Sequence, residues 1–232
     1  MLFRVSGCWL YGALEEDMVP IPRFRYRTIQ GFRMSLKGLL RDVRACSLCE
    51  AGLPLGARPV LQLASSAKLL IISQAPGRKV HETGIPWNDA SGDRLRDWLK
   101  LDRPAFYDET RVAILPIGFC YPGAEDRGGD KPPRAECAPL WHPRLRKHLP
   151  NIQLTLLVGQ YAQRYYLRRQ RKASMTETIR AFSEYGPQFF PLPHPSWRSV
   201  VWMRKNQWFE ETVIPNLRKV VRPLLQRSED QG

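Results

Sequence analysis

Four short apolar runs limit the ways this chain can fold. Ala67–Ser73 (AKLLIIS) is followed closely by Pro76-Gly77, and Arg111–Ile117 (RVAILPI) carries a proline near its end. Leu154–Gly159 (LTLLVG) closes on its own glycine, and Phe189–Leu192 (FFPL) stops at Pro193-His194-Pro195-Ser196. A run of this length with little polar alternation suits a strand covered on both faces. Between the runs, apolar residues recur at helical spacing: Leu36, Leu39, Leu40 and Val43, then Leu95, Trp98 and Leu99 within Ser91–Leu101. Further helices are expected from about Gln160 and from about Asn206. Strands alternating with helices predict a three-layer α/β/α sandwich around a mostly parallel four-stranded sheet. Such sheets bind ligands at the carboxyl ends of their strands. Two loops expected there are unusual: Gln74-Ala75-Pro76-Gly77 and His194-Pro195-Ser196-Trp197.

The pattern begins at Met34. Residues 1–33 read as a peripheral extension containing Cys8, and residues 34–232 as a single domain. No apolar run approaches the length of a membrane-spanning helix. The segment also lacks the pattern of a secretory leader, so a cytoplasmic protein is expected. With 36 Lys and Arg against 22 Asp and Glu, the formal net charge is +14. That excess favours a polyanionic partner, nucleic acid first. No obligate protein partner is evident, and a monomer is expected.

Four of the five cysteines form two spaced pairs, Cys46-Ser-Leu-Cys49 and, much later, Cys120 and Cys137. A C-x2-C turn can aim two thiolates at one metal, and a second pair completes a four-sulfur set. Soft sulfur ligands suit a [4Fe–4S] cluster or a structural zinc, and the spacing leaves both open.

The stretch Ser73-Gln-Ala-Pro-Gly77, followed by Gly84-Ile-Pro-Trp87 and Ser91-Gly92, resembles the first active-site motif of the uracil-DNA glycosylase superfamily. His194-Pro195-Ser196 resembles its second motif, and Leu156-Leu-Val-Gly-Gln-Tyr-Ala162 the strand-to-helix step between them. The likeness runs from about Leu39 to Leu217, and the cysteine order is similar to the iron–sulfur branch, family 4. It implies a DNA glycosylase with a [4Fe–4S] cluster on Cys46, Cys49, Cys120 and Cys137. It also implies a pocket built from Ala75, Pro76, Gly77, Trp87 and Ser196, with Trp87 as the aromatic face for a flipped base. His194 would donate to the base oxygen as negative charge develops on the leaving base.

Two departures from the pattern matter. Family 4 typically has Glu where this chain has Gln74, and an amide cannot act as a general base. Asp89, with Asn88 beside it, is the expected replacement, in an arrangement that looks similar to family 5; its competing role is a helix N-cap. His81 and Glu82 are weaker alternatives. Uracil-specific members commonly carry an Asn where this chain has Pro116, so the base is uracil or a modified pyrimidine. A hypermodified cytosine of phage DNA, and hence antiviral defence, is one such possibility beside base-excision repair.

Trp197 and Arg198 are expected to wedge into the stack. The run Arg164 to Lys172, with Arg168, Arg169, Arg171 and Lys172, is expected to contact phosphates, and Arg204 and Lys205 add positive charge. No lysine lies in either motif, which favours a monofunctional glycosylase over a Schiff-base lyase. The alternatives are a non-catalytic DNA-binding relative and a deoxynucleotide or RNA hydrolase.

Overall fold

Strand β1 (Leu69–Ile72) has all four side chains fully buried. Alternation sends Leu69 and Ile71 to one face and Leu70 and Ile72 to the other, each burial contributing about 2 kcal/mol. In the computed structural model, which describes residues 34–126 and 128–226, β1 sits inside a four-stranded, all-parallel sheet of order β2-β1-β3-β4. Its partners are β2 (Val112–Ile114) and β3 (Leu154–Val158), and β3 pairs in turn with β4 (Phe189–Leu192). The extension 1–33, with Cys8, lies outside the described residues.

Nine α-helices are described, and the main ones divide between the two faces of the sheet. On one face α3 (Ala90–Leu99) supplies Leu95, Trp98 and Leu99, and α9 (Ile214–Leu225) supplies Leu217 and Val221. On the other, α1 (Leu36–Arg44) supplies Leu39, Leu40 and Val43, α5 (Cys137–Arg146) supplies Trp141 and Leu145, and α6 (Gln160–Leu167) supplies Ala162 and Leu167. This is the expected α/β/α sandwich. Shorter helices α2 (Arg78–Thr83), α4 (Arg103–Tyr107) and α7 (Met175–Arg180) fill the connections, and α8 (Trp197–Lys205) follows β4.

The expected boundaries shift where local chemistry intervenes. Pro116 has no N–H and ends regular pairing in β2, yet the chain stays alongside β1. Leu115, Ile117 and Gly118 donate to the carbonyls of Ile71, Ser73 and Gln74 at 2.9, 2.9 and 2.8 Å. The helix expected at Ser91–Leu101 starts one residue earlier and stops at Leu99, because Lys100 turns left-handed (φ 54°) and closes it. The helix expected from Asn206 opens instead with a wide turn at Phe209–Val213 before α9. Among the described residues, no helix is long and apolar enough to cross a membrane.

Candidate active site

The carboxyl ends of the strands open into a cleft of about 630 Å³. Gln74, Ala75, Pro76, Gly77, Trp87, Asp89, His194, Ser196, Trp197 and Arg198 all line it. Ten of the residues singled out from sequence are thus brought together by the fold.

The two motif loops leave β1 and β4 on either side of Gly159, where β3 gives way to α6. Gly159 has φ 88°, and a side chain there would stand 3.3 Å from the His194 Cβ and 3.8 Å from the Gln74 Oε1. Glycine is what lets the two loops approach.

The wall carrying Trp87 is tightly determined. Trp87 adopts φ 57°, unusual for an aromatic residue, and its carbonyl accepts from the buried Arg96 guanidinium at 3.3 Å. A Cβ at Gly92 would fall 1.7 Å from the Trp87 carbonyl oxygen, so α3 can pass only as glycine. Arg96 also holds Asp93 and the Tyr107 hydroxyl. The Trp87 ring is mostly buried and stacks on His194, with centroids 5.4 Å apart and planes 25° apart. It is therefore both core and cleft wall, with one face turned to the imidazole.

Burial pushes the His194 imidazole down to about 4, so the ring is neutral at ordinary pH. Its Nδ1 is enclosed without a hydrogen-bond partner among the described residues. Its carbonyl accepts from the Ser196 amide at 2.8 Å and from the Ser199 hydroxyl, tightening the loop. Arg94 on α3 donates to the carbonyls of Pro195 and Ser196, both at 2.8 Å, tying the second motif to the helix of the first.

Asp89 N-caps α3, its Oδ1 accepting from the Gly92 amide at 2.8 Å. Its other oxygen faces the cleft near Gly77. Cap and cleft carboxylate are one residue. Asn88 does not join the site: its side chain accepts from Arg103 at 2.9 Å, and it is absent from the cleft wall. Glu82 pairs with Arg78, and the buried His81 points elsewhere; neither lines the cleft.

Pro116 lines the floor, and its carbonyl is taken by the His142 Nε2 at 3.0 Å. His142 is buried, neutral with a pKa pushed down to about 4, and its Nδ1 meets the Tyr166 hydroxyl at 2.7 Å. The carbonyl can only accept, so Nε2 carries the proton and Nδ1 accepts from the tyrosine.

At the rim, Trp197 is 71% exposed. Arg198 lies 5.3 Å over its ring and donates to the Gly128 carbonyl at 2.9 Å. It thus braces a loop in this structure. Arg168, Arg169, Arg171 and Lys172 are exposed, and Lys172 pairs with Glu184. They follow the C-terminal end of α6, whose first residues Gln160 and Tyr161 line the cleft, so the helix separates them from it by about 12 Å. Arg204 and Lys205 are exposed at the end of α8.

Sequence reasoning missed Arg94, Gly159, Tyr161, Trp202 and Asp130. A conspicuous signal existed for Gly159 and Tyr161, both inside the quoted LLVGQYA stretch.

The four described cysteines are free, Cys120 and Cys137 buried and Cys46 and Cys49 half-buried. They lie close enough for their charges to act on one another. Burial pushes the Cys120 and Cys137 thiols up to about 11 and about 12, while the backbone amides of Arg58 and Phe119 donate to their sulfurs. Arg134 stands against Cys49. Among the described residues, no three His, Cys, Asp or Glu side chains are placed to close on one metal ion. Four sulfur donors near enough for their charges to interact, two of them with a backbone amide donating to the sulfur, fit a thiolate-bound group.

This architecture, with two motif loops converging at the carboxyl edge of a parallel sheet, defines a ligand-cleft α/β protein. The family model of the uracil DNA glycosylase superfamily matches residues 62–218, and the chain belongs to that superfamily. Its members are DNA glycosylases, hydrolases that act on DNA.

Proposed function

We propose that this chain is a monofunctional DNA glycosylase that flips a nucleotide into the cleft and hydrolyses its N-glycosidic bond. The observation that carries the reading is the convergence of a neutral His194, the Gln74 amide and the Asp89 carboxylate at one strand edge. As the C1′–N bond breaks, its electron pair moves onto the base, and an N–H from His194 stabilises the developing oxyanion. A neutral imidazole can donate this bond without first losing or gaining a proton. Asp89, fixed by its cap bond, holds water against C1′ and stabilises the cationic sugar. Gln74 offers both a donor and an acceptor, and Pro116 offers neither, its carbonyl being occupied. This favours a pocket tolerant of uracil and modified pyrimidines, hypermodified phage cytosines included. Trp197, exposed at the rim, is the wedge.

Cys46, Cys49, Cys120 and Cys137 would hold the metal group. Four sulfur donors whose charges act on one another suit a four-thiolate group, a [4Fe–4S] cluster or a structural zinc. Such a group would cross-link the chain around α1 and α5.

The test is base release from oligonucleotides carrying uracil, hypoxanthine or 5-substituted cytosines and from phage DNA with modified cytosines, with free base read by mass spectrometry. Release of one base, abolished by His194→Ala, is expected. Tight, salt-dependent DNA binding without release of any base would overturn the proposal in favour of a non-catalytic DNA-binding relative.

A further inference from the structure

The loop between Cys120 and Cys137 contains a small hairpin. Ala124 bridges to Asp130, the Glu125 amide bonds the Gly129 carbonyl at 2.8 Å, and Gly128 and Gly129 turn the chain at φ 82° and 93°. Arg198 braces the turn, with a guanidinium bond to the Gly128 carbonyl at 2.9 Å and close packing over Gly129. The hairpin thereby places Asp130 on the cleft wall.

There Asp130 meets the open side of Gly77. A Cβ added to Gly77 would lie 3.4 Å from the Asp130 Oδ2 and 3.8 Å from the Asp89 Oδ2. Two carboxylates from distant parts of the chain therefore flank one gap beside the first motif. They are not equivalent. Asp89 has one oxygen committed to the α3 amide. Asp130 is exposed at the rim, and among the described residues neither a hydrogen bond nor an ion pair occupies it.

We propose that Asp130 is a second catalytic carboxylate, acting with Asp89 on the water and sugar of the flipped nucleotide. The inference rests on the glycosylase reading above. The water oxygen bonds to C1′, and the C1′–N bond breaks with its electron pair on the base. The water proton passes to Asp130, while Asp89 holds the water. Desolvation against the cleft wall and the Asp89 charge both raise the Asp130 pKa above its ordinary value, which suits it to accept a proton. Together the pair also places negative charge where the sugar becomes cationic. Arg198 serves as a positioning residue through the hairpin.

The test uses the full-length protein and duplexes carrying, at one position, either a protonated pyrrolidine abasic mimic or its neutral tetrahydrofuran counterpart. Single-turnover release of the base identified in the assay above, from an oligonucleotide carrying it, is followed in parallel. The parent should bind the cationic mimic at least tenfold tighter than the neutral one. Asp130→Asn should lose most of that preference, keep its tetrahydrofuran affinity and melting temperature, and release that base at least a hundredfold more slowly. Asp130→Glu should recover part of both. If Asp130→Asn keeps the cationic preference while Asp89→Asn loses it, Asp130 is overturned and the glycosylase reading stands. If the parent binds both mimics equally and releases no base, both readings fall.

Discussion

The two walls of the cleft are built in opposite ways. The Trp87 wall is over-determined: a left-handed aromatic residue, a buried guanidinium on its carbonyl and a glycine that admits no Cβ all specify one position. The hairpin wall, at its described residues 124–126 and 128–130, is exposed, turned by two glycines and braced by Arg198. The difference teaches that a fixed surface for the imidazole and an adjustable arm for a carboxylate can share one site. The first needs packing to hold a strained backbone. The second is held by one guanidinium bond and two glycine turns.

This contrast can be broken most forcefully at Gly92. Gly92→Ala drives a methyl into the Trp87 carbonyl and should cost more than about 4 kcal/mol, read as a collapse of the denaturation midpoint. Arg96→Met leaves the Trp87 carbonyl without its donor and should cost about 3 kcal/mol by the same measurement.

The pH response follows chiefly from His194 and His142, the histidines with the largest shifts. His194 and His142 have folded pKa values near 4, below the unfolded value of about 6.5, so the unfolded chain takes up protons first as pH falls. Their stability contribution is fully present above pH 6.5 and is lost progressively toward pH 4. The loss should approach roughly 3 kcal/mol for each histidine, about 6 kcal/mol for the two together, measurable by urea denaturation across that range.

On the other wall the effects should separate. Arg198→Ala should leave the melting temperature within a degree or two while slowing base release about tenfold. Gly77→Ala has ordinary backbone angles and no contact under 3.4 Å, so it should fold normally. Its methyl fills the gap between the two carboxylates and should slow release severalfold. If Arg198→Ala instead destabilises the fold as Arg96→Met does, the distinction between fixed and adjustable walls is lost.

The strands were legible because LLII, VAI, LTLLV and FFPL are buried with almost no polar interruption. The motif loops were legible because their residues are contiguous. Helix α8 was not, and the reason is physical. Its one fully buried residue is Ser199, while Trp197 and Val201 face outward, so no apolar stripe marks it. Asp130 was hidden for a different reason. Its placement depends on two glycine turns and on Arg198, which lies 68 positions further along the chain. Arg94 carries no signal in the sequence, because the carbonyls of Pro195 and Ser196 that it reaches lie 101 and 102 positions further along the chain. Asn88 misled because adjacency to Asp89 says nothing of direction; Arg103 draws it outward.

The chain that borders β1 beyond Pro116 has one more consequence. Pro116 forms the floor of the cleft, and Cys120 follows four residues later, a span of at most about 14 Å even when fully extended. The amides of Ile117 and Gly118, bonded to Ser73 and Gln74, lie on that short tether. Loosening at the thiolate end should therefore register as faster deuterium uptake at those two amides. The floor of the cleft is a built-in strain gauge for the cysteine loops.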